Sequence, residues 1–457
     1  MTRLALRVTA YCLIFGLGCA DSDGDDGHPT TLLAEQQAPL TYWHDMAPLF
    51  ADHCMQCHRA GGIAPLRLDD YAQLKPLAKL IAHVTSERTM PPWSVTSDGT
   101  CGEFSDSLAL SDDEIARIGA WASAGAIEGK REPLSIPDLP SLSGAVELKT
   151  PNFEPQVQPG ALTAHDEYRC FELDPPTSGF ITGYEVIPGR PEIVHHALVM
   201  LVDPEAPAAR DQAPGKTNLE QMRALDQESP DRDGWQCFGM AGEGVRAKAT
   251  PVVWAPGQGV VQYPNDSGVP LKATDKIVVQ IHYNLADARN HGLADQTTVR
   301  LRSVPRVANV GLFALQDPLL GTLQEGDPVS LPPGQASTVY SWTQTAREMG
   351  LDSLPEAQLY GIMPHMHQLG RKYRMTVAAA GQDERCAADV QHWDFHWQRM
   401  YFYEQPITLR PDSRVSVSCD YDTSGVSTPV LPGWGTGDEM CLATLYVTVP
   451  LAAFSAQ

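Results

Sequence analysis

The chain has 457 residues, of which 43% are hydrophobic and 19% are charged, as expected for a globular protein. A chain of this length has room for about three domains. Its formal net charge of −23 argues against nucleic acid or an anionic membrane surface as a partner, because those contacts need clustered Lys and Arg. The 37 glycines and 37 prolines favour short strands joined by turns over long helices.

Residues 1–19 are predicted to be an export signal, in which Arg3 and Arg7 precede an apolar run too short to remain as a membrane span. The signal ends in Gly-Leu-Gly-Cys, which is similar to a bacterial lipoprotein cleavage site with Cys19 as the lipid-carrying residue. An ordinary cleaved signal peptide is the alternative. Residues 20–40 are typical of a flexible acidic tether. We therefore expect an exported bacterial protein, either periplasmic or anchored in the outer membrane through Cys19.

Residues 54–58 read Cys-Met-Gln-Cys-His, the attachment motif of c-type haem. In that motif the thiols of Cys54 and Cys57 form thioethers to the haem, and His58 is an axial iron ligand. Half of a zinc site and a redox dithiol are the alternatives. The sequence contains no second Cys-x-x-Cys pair and no βαβ pattern around this one, so it favours covalent haem.

The flanks of this motif resemble the terminal helices of small cytochromes c, so residues 41–130 are predicted to form a small all-α haem domain. The second of these helices opens with Ser111 as N-cap and Glu114 three residues later, which is a capping-box pattern. Residues 131–150 contain several prolines and little periodicity, and they are interpreted as a linker.

The sixth iron ligand is predicted to be Met90, which precedes two prolines that restrict the local backbone. Met46 and Met55 are the alternatives. Ligation by histidine and methionine raises the potential of a haem, which suits electron transfer better than oxygen binding.

From about residue 150 the pattern changes to short apolar runs separated by turns, which predicts mainly antiparallel β-structure. Histidines fall in three of these runs, at His195, His196, His282, His365 and His367. His365 and His367 are two residues apart and therefore share one face of a strand. Neighbours such as His195 and His196 face opposite ways on a regular strand, so they can share a metal only if the strand is irregular there or the two rings bend inward. Buried core histidines are the alternative interpretation.

Four elements occur in a fixed order along this region: His-His, His-Tyr, His-x-His followed by Leu-Gly-Arg-Lys, and Met440 followed by Cys441. Over roughly residues 150–450 this order resembles the copper type II, ascorbate-dependent monooxygenases. The resemblance implies two mainly antiparallel, jelly-roll-like β-sandwich subdomains, at 151–305 and 306–457. Each subdomain is expected to hold one copper ion.

The resemblance also implies the ligands. His195, His196 and His282 correspond to the ligands of an electron-storing copper. The catalytic set comprises His365, His367 and Met440, the ligands of the copper at which oxygen and substrate react. Imidazole suits both oxidation states of copper, and a thioether favours Cu(I).

The function implied is hydroxylation of a C–H bond of a small molecule by O₂. The electrons would come from ascorbate, or from a periplasmic donor through the fused haem. The alternative is a non-catalytic electron-transfer or copper-binding lipoprotein that keeps the scaffold.

Three positions narrow the range of substrates that the resemblance allows. In relatives that act on peptidylglycine, polar residues that hold the substrate carboxylate stand where this chain has Met363, Leu442 and Thr444. A C-terminal glycine substrate is therefore not expected, and no acidic residue is identified as the partner of an amine.

Six of the ten cysteines remain after the signal, the lipid site and the haem motif are set aside, and six cysteines permit fifteen pairings. The resemblance suggests a bond between Cys170 and Cys237. A bond between Cys419 and Cys441 would fix the strand that presents the methionine ligand. Cys101 and Cys386 are left over, and a bond between them would join the haem domain to the second subdomain.

Overall fold

The structure, a computed structural model, describes residues 38–454 apart from 63, 98, 139, 158–164, 176, 257, 353, 355, 380–382 and 436. The predicted export signal, the lipid site at Cys19 and most of the tether lie outside these residues. Within the described part of the chain, no helix is long and apolar enough to cross a membrane.

Helices are concentrated in the first third of the described chain. A π-helical turn at Tyr42–Met46 runs directly into the first α-helix. The α-helices are α1 (Ala47–His53), α2 (Tyr71–Leu74), α3 (Ala78–Ser86), α4 (Asp112–Ser123), α5 (Asn218–Asp226), α6 (Pro318–Gln324) and α7 (Leu451–Phe454). The predicted capping box is confirmed: Ser111 Oγ accepts from the Glu114 amide at 3.3 Å, and Glu114 Oε2 accepts from the Ser111 amide at 2.8 Å.

The helices before residue 130 enclose an apolar core of their own. Tyr42, Phe50 and Trp121 are fully buried in it, and the rings of Phe50 and Trp121 meet edge to face at 6.2 Å. Each such side chain contributes roughly 1.5–3 kcal/mol relative to an exposed position. The Tyr42 hydroxyl donates to the Leu68 carbonyl at 2.6 Å, so its polar atom is satisfied within the core.

The loop between α3 and α4 belongs to a different core. Trp93 and Phe104 pack into the same apolar cluster as the strands of the C-terminal half. Short β-bridges pair Val95 with Val390 and Phe104 with Tyr403. The helices before residue 130 and the loops between them are called the helical unit. This unit and the C-terminal β-structure are therefore joined by packing as well as by the continuous chain.

The rest of the described chain is mostly β-structure. Its strands are β1 (Val146–Lys149), β2 (Asp166–Leu173), β3 (Gly179–Ile187), β4 (Val194–Val202), β5 (Trp235–Gln236), β6 (Ala247–Trp254), β7 (Val261–Gln262), β8 (Ser267–Leu271), β9 (Lys276–Asn284), β10 (Thr298–Val304), β11 (Asn309–Gln316), β12 (Thr338–Thr345), β13 (Ala357–His365), β14 (Gly370–Ala378), β15 (Arg385–Val390), β16 (Tyr401–Leu409), β17 (Arg414–Tyr421) and β18 (Leu442–Pro450). The first of them lies inside the predicted linker, because Val146–Lys149 pairs with β10 as an edge strand.

These strands form three sheets. A five-stranded sheet has the order β5-β2-β9-β4-β6, and a four-stranded sheet has the order β12-β17-β14-β15. The third sheet has nine strands in the order β1-β10-β3-β8-β11-β18-β13-β16, with β7 paired to β3. One apolar cluster fills the space between the five-stranded sheet and the N-terminal half of the long sheet. A second cluster lies between the four-stranded sheet and its C-terminal half.

The two β-sandwiches expected from the sequence therefore share one sheet. Its halves meet where β8 and β11 pair in parallel over two residues, Ser267 with Asn309 and Gly268 with Val310. Next to this junction the hydroxyls of Ser267 and Tyr446 lie 2.6 Å apart. This continuous backbone pairing fixes the relative positions of the two halves, and so of any sites that they carry.

Three disulfides are present among the described cysteines, and they are the three pairs expected: Cys101–Cys386, Cys170–Cys237 and Cys419–Cys441. The first crosses from the helical unit to β15. Cys54 and Cys57 are not paired with each other, although two residues separate them.

Replacing both Cys101 and Cys386 by serine is expected to lower the free energy of unfolding by about 2–5 kcal/mol, because the lost bond joins residues 285 positions apart. Denaturant unfolding of the oxidised protein measures this loss. The single variant Cys101→Ser controls for the introduced serines, and it should lose the same amount. Unfolding curves that coincide with the wild type would contradict a stabilising role for this bond.

Candidate metal centres and the cavity they share

Three histidines meet at the end of the five-stranded sheet. His196 on β4 lies directly opposite His282 on β9, and the register shifts between Val194 and His196. The extra residue in this irregularity is His195, so its side chain leaves the alternation of a regular strand. Of the two conditions for a shared site, an irregular strand or inward-bent rings, the irregular strand is present.

The ring nitrogens of these histidines converge. His195 Nδ1 lies 3.1 Å from His196 Nδ1, and His282 Nδ1 lies 3.3 Å from the same atom. One metal ion bound to imidazoles at about 2.0–2.1 Å would separate its ligand nitrogens by roughly 3.3–3.6 Å. His195 Nε2 is buried with no hydrogen-bond partner among the described residues. The cluster fits a metal, and three imidazoles are a donor set that copper accepts.

Two neighbours hold His282 in place. The Tyr168 ring stacks on its imidazole at 4.0 Å, with 8° between the planes. Asp166 Oδ1 lies 3.2 Å from His282 Nε2, within ion-pair distance though without hydrogen-bond geometry. Because the carboxylate faces Nε2, the Nδ1 atom is the one directed to the cluster.

The second group forms where β13 and β18 pair. His365 ends β13 and lies opposite Leu442, the first residue of β18. His367 follows in the next turn, and the buried Met440 stands two residues before β18. Antiparallel pairing thus brings the His-x-His motif beside a methionine more than 70 positions away in sequence.

Hydrogen bonds select one nitrogen on each ring of this second group. Gln398 Oε1 contacts His365 Nδ1, and the Asp438 carbonyl lies 2.9 Å from His367 Nδ1. A carbonyl oxygen only accepts, so each Nδ1 carries the proton. The Nε2 lone pairs of His365 and His367 then remain available to a metal beside Met440.

A buried carboxyl group supports the turn that carries His367. Glu439 is fully buried, and its oxygens accept from the amides of His367 at 2.9 Å and Leu369 at 2.7 Å. Burial raises the pKa of Glu439 to about 8. On the far side of Met440, the Tyr421 hydroxyl donates to its carbonyl at 2.8 Å. The methionine backbone is therefore held from both directions.

Burial lowers the pKa of the imidazoles in both groups. It brings the pKa of His195 and of His367 to about 3 and that of His365 to about 4, with the neighbouring histidines adding to the effect. The pKa of His196 is also lowered by burial and by His282. These rings are neutral at neutral pH, the protonation state that metal binding requires.

One cavity of about 590 Å³ reaches both groups. His196 lines it from the first half of the chain, and His365, His367 and Met440 line it from the second half. Its volume is within the range of about 300–1,000 Å³ typical of small-molecule sites. Met363, Leu442 and Thr444, the positions singled out from the sequence, also line it, as do Val253, Trp254, Leu315 and Leu320.

The cavity also contains an acidic residue that the sequence did not reveal. Asp317 caps α6 by accepting from the Leu320 amide at 2.9 Å, and its other carboxyl oxygen is buried without a well-formed hydrogen bond among the described residues, although the amides of Leu319 and Cys441 also face the carboxylate. Burial raises the pKa of Asp317 to about 6. The buried Thr444 hydroxyl is likewise without a described partner. Both polar groups are positioned to contact a bound molecule.

A single aromatic ring lies between the two histidine groups. Phe395 stacks on His195 at 4.7 Å and meets His367 edge to face at 5.9 Å. It belongs to the irregular segment between β15 and β16 that also carries Gln398. Only two residues of chain, 396 and 397, thus separate the contact to His195 from the contact to His365.

The haem motif has a matching local geometry. His58 Nδ1 lies 2.9 Å from the Leu66 carbonyl, so the proton sits on Nδ1 and Nε2 is free to ligate iron. Cys54 and Cys57 are unpaired thiols, as attachment to haem requires. These residues fit a covalent haem.

A cavity of about 930 Å³ lies between the helical unit and residues 391–397, and its lining residue Glu114 lies 3.3 Å from His53, the residue before the haem motif. Met90 lines it, whereas Met46 and Met55 are fully buried in the helical core. Of the three methionines considered from the sequence, Met90 is the one that faces open volume.

Comparison with known proteins points to a class. Residues 319–450 match the family described as copper type II ascorbate-dependent monooxygenase, C-terminal domain. This match and the related proteins described next support a copper-dependent monooxygenase, an enzyme of the oxidoreductase class, as the interpretation of the β-region of the chain.

Tyramine beta-hydroxylase of Caenorhabditis briggsae is 24% identical over 291 residues, which cover 62% of this chain and 43% of the relative. Dopamine beta-hydroxylase of Homo sapiens is 22% identical over 320 residues, which cover 67% of this chain and 46% of the relative. The chain therefore spans less than half the length of these two relatives.

Among solved structures, the major capsid protein P2 from bacteriophage PM2 matches 67% of this chain and 97% of its own, with 10% identity and a TM-score of 0.27. A similarity this low carries no argument about this protein.

The lowered pKa values predict how the copper-free protein responds to acid. Below pH 6.5 the histidines of the unfolded chain bind protons, whereas the buried histidines of the folded protein stay neutral. The free energy of unfolding therefore falls as the pH drops towards 4. One such histidine accounts for roughly 3 kcal/mol of this loss at pH 4.5. In His195→Asn the drop in unfolding temperature between pH 7.5 and 4.5 should be smaller than in the wild type.

The variant His83→Asn, at an exposed position on α3, is the control and should keep the wild-type drop. Equal slopes for His195→Asn and the wild type would mean that His195 is not a buried neutral imidazole.

Proposed function

We propose that the protein is an exported copper monooxygenase that hydroxylates a C–H bond of a small molecule and carries a covalent c-type haem. The observation that carries the proposal is the cavity onto which both histidine groups open, with Met440 beside the second group. The family match over residues 319–450 supports the same conclusion. The balanced reaction converts R–H, O₂, two electrons and two protons into R–OH and H₂O.

The two groups of candidate ligands would each hold a separate copper ion. His365, His367 and Met440 would hold one copper, and His195, His196 and His282 would hold the other. When bound, the two ions supply one-electron redox chemistry and a place for O₂ to react. Gln398 and the Asp438 carbonyl keep the Nδ1 protons of the second group in place. This orientation leaves the metal-facing nitrogens free without any rearrangement.

The haem provides an entry for electrons. Cys54 and Cys57 would attach it, and His58 and Met90 would be its axial ligands. The direct packing of the helical unit on the C-terminal core makes an intramolecular supply from a periplasmic donor feasible. Ascorbate is the alternative reductant for the copper ions.

We infer a small, mainly apolar substrate. Beside the second histidine group the cavity is lined by Met363, Leu442 and Thr444, which offer no cation for a carboxylate such as that of a C-terminal glycine, and the cation in the lining is Arg246 from the first half of the chain. Asp317 also lines the cavity and can accept from a hydrogen-bond donor or a cation on the substrate. An apolar body with one donor group satisfies both features.

The metal content of the exported protein tests the proposal. Protein produced with a c-type maturation system and supplied with copper should contain one covalent haem and two coppers per chain. Elemental analysis and the pyridine haemochrome spectrum measure these numbers. Haem without copper would favour the non-catalytic electron-transfer protein. Copper without haem would contradict the proposal that the helical unit is a cytochrome.

Replacing the thioether ligand separates catalysis from haem chemistry. In Met440→Leu we expect substrate-dependent O₂ uptake to fall by at least about 100-fold, the scale on which disturbing a metal site lowers activity. Reduction of the haem should keep its wild-type rate. Oxygen-electrode and stopped-flow absorbance measurements report the two properties.

Met375→Leu, a core methionine on β14, is the matched control and should keep its O₂ uptake. Full O₂ uptake by Met440→Leu would show that the oxygen site lies elsewhere.

A further inference from the structure

Two buried hydrogen-bond donors at the junction of the helical unit and the C-terminal β-structure have no acceptor in the part of the chain that the structure describes. Arg399 Nε and Trp93 Nε1 are both buried, and neither has a hydrogen-bond partner among the described residues. The Arg399 guanidinium lies over the Trp93 ring, with 5.0 Å between Cζ and the ring centroid. A buried N–H of a charged guanidinium is costly to leave without an acceptor, so the pair indicates that an acceptor, best an anionic one, belongs beside it.

These donors come from opposite sides of the junction. Trp93 follows Met90 and the two prolines, and it lines the 930 Å³ cavity. Arg399 belongs to the segment between β15 and β16, whose residues 391–397 form the opposite wall of that cavity. Glu114 lines the same cavity and lies 3.3 Å from His53, the residue before Cys54 of the haem motif. The donors thus stand at a cavity that extends to the residue preceding the motif.

The described groups around Arg399 do not supply the anion. The second ring within reach is that of Tyr401, at 5.8 Å from Cζ, and its hydroxyl is neutral because burial raises its pKa. Asp106 contributes charge from an exposed position, and no hydrogen bond joins it to Arg399 Nε. A carboxylate that arrives with a cofactor would satisfy both donors.

A haem attached through its two thioethers carries two carboxylates that the attachment leaves free. A planar guanidinium and an indole N–H are donors suited to such a group. We propose that Arg399 and Trp93 bind a carboxylate of the haem, so that the β-structure contributes directly to the haem site. This inference rests on the covalent haem of the proposed function.

The consequence is a short connection between the haem site and both histidine groups. Arg399 directly follows Gln398, whose side chain contacts His365. Four residues earlier, Phe395 lies against His195 and His367. If Arg399 holds a haem carboxylate, that edge of the haem faces the segment that supports both metal-binding groups.

The test uses the holoprotein with haem attached and the variants Arg399→Gln, Arg399→Lys and Trp93→Phe. Spectroelectrochemistry measures the haem midpoint potential, and resonance Raman spectroscopy measures the carboxylate bending band. Arg399→Gln should lower the potential, because an uncompensated carboxylate favours ferric iron, and it should shift the band. Arg399→Lys should keep most of the potential. Trp93→Phe should shift the band without any change in charge.

Arg374→Gln is the control, because Arg374 forms a half-exposed ion pair with Asp389 in the same half of the protein. Its potential and band should equal those of the wild type. If Arg399→Gln does not fold, the lysine variant and Trp93→Phe still report the carboxylate band.

The outcomes separate this inference from the function on which it rests. Wild-type protein without covalent haem overturns both the haem part of the proposed function and this inference. Normal haem with an unchanged potential and band in Arg399→Gln and Trp93→Phe overturns this inference alone. The inference also fails if inorganic phosphate or acetate binds the wild type and not Arg399→Gln while the haem signals stay unchanged, because the donors would then serve a soluble anion.

Discussion

The antiparallel pairing of β18 with β13 is the constraint on which the rest of the structure depends. It sets Leu442 opposite His365, and the chain just before Leu442 therefore brings Met440 to the histidines. Because β18 also pairs with β11 along its whole length, a shift of register would turn every side chain of the strand to the wrong face. The disulfide between Cys419 and Cys441 further restricts the backbone at this end of β18. The long sheet therefore holds the candidate metal-binding residues of the second group in a rigid arrangement.

The segment between β15 and β16 supplies further side chains that support the two histidine groups. It has no regular structure, and successive side chains contact different neighbours. Phe395 lies against both histidine groups, Gln398 orients His365, and Arg399 reaches the helical unit. An irregular segment can do this because its side chains are not bound to the alternation of a strand. The Cys101–Cys386 bond holds the helical unit at the edge of this region.

The candidate metal-binding residues were readable from residue types and spacing. The His-x-His motif, the paired histidines and the Cys-x-x-Cys-His motif are local patterns, and the structure gathers His195, His196 and His282 into one cluster and places His365, His367 and Met440 at one cavity. The irregular strand at His195 was a condition deduced from side-chain alternation, and the register shift satisfies it. The supporting residues were not readable. Gln398 stands 33 positions from His365, and Asp317 is an ordinary helix cap until folding places it in the cavity.

The sequence by itself determined which candidate ligand residues the protein has and the order in which they occur. These properties depend on residue identity, which a linear pattern records, whereas the structure shows which of the possible cysteine pairs form. Only the tertiary structure decided that two β-sandwiches share one sheet and that both histidine groups open onto one cavity. It also decided that Arg399 meets the helical unit. These features arise from long-range pairing and from the removal of side chains from water, and neither is set by the neighbours of a residue in sequence.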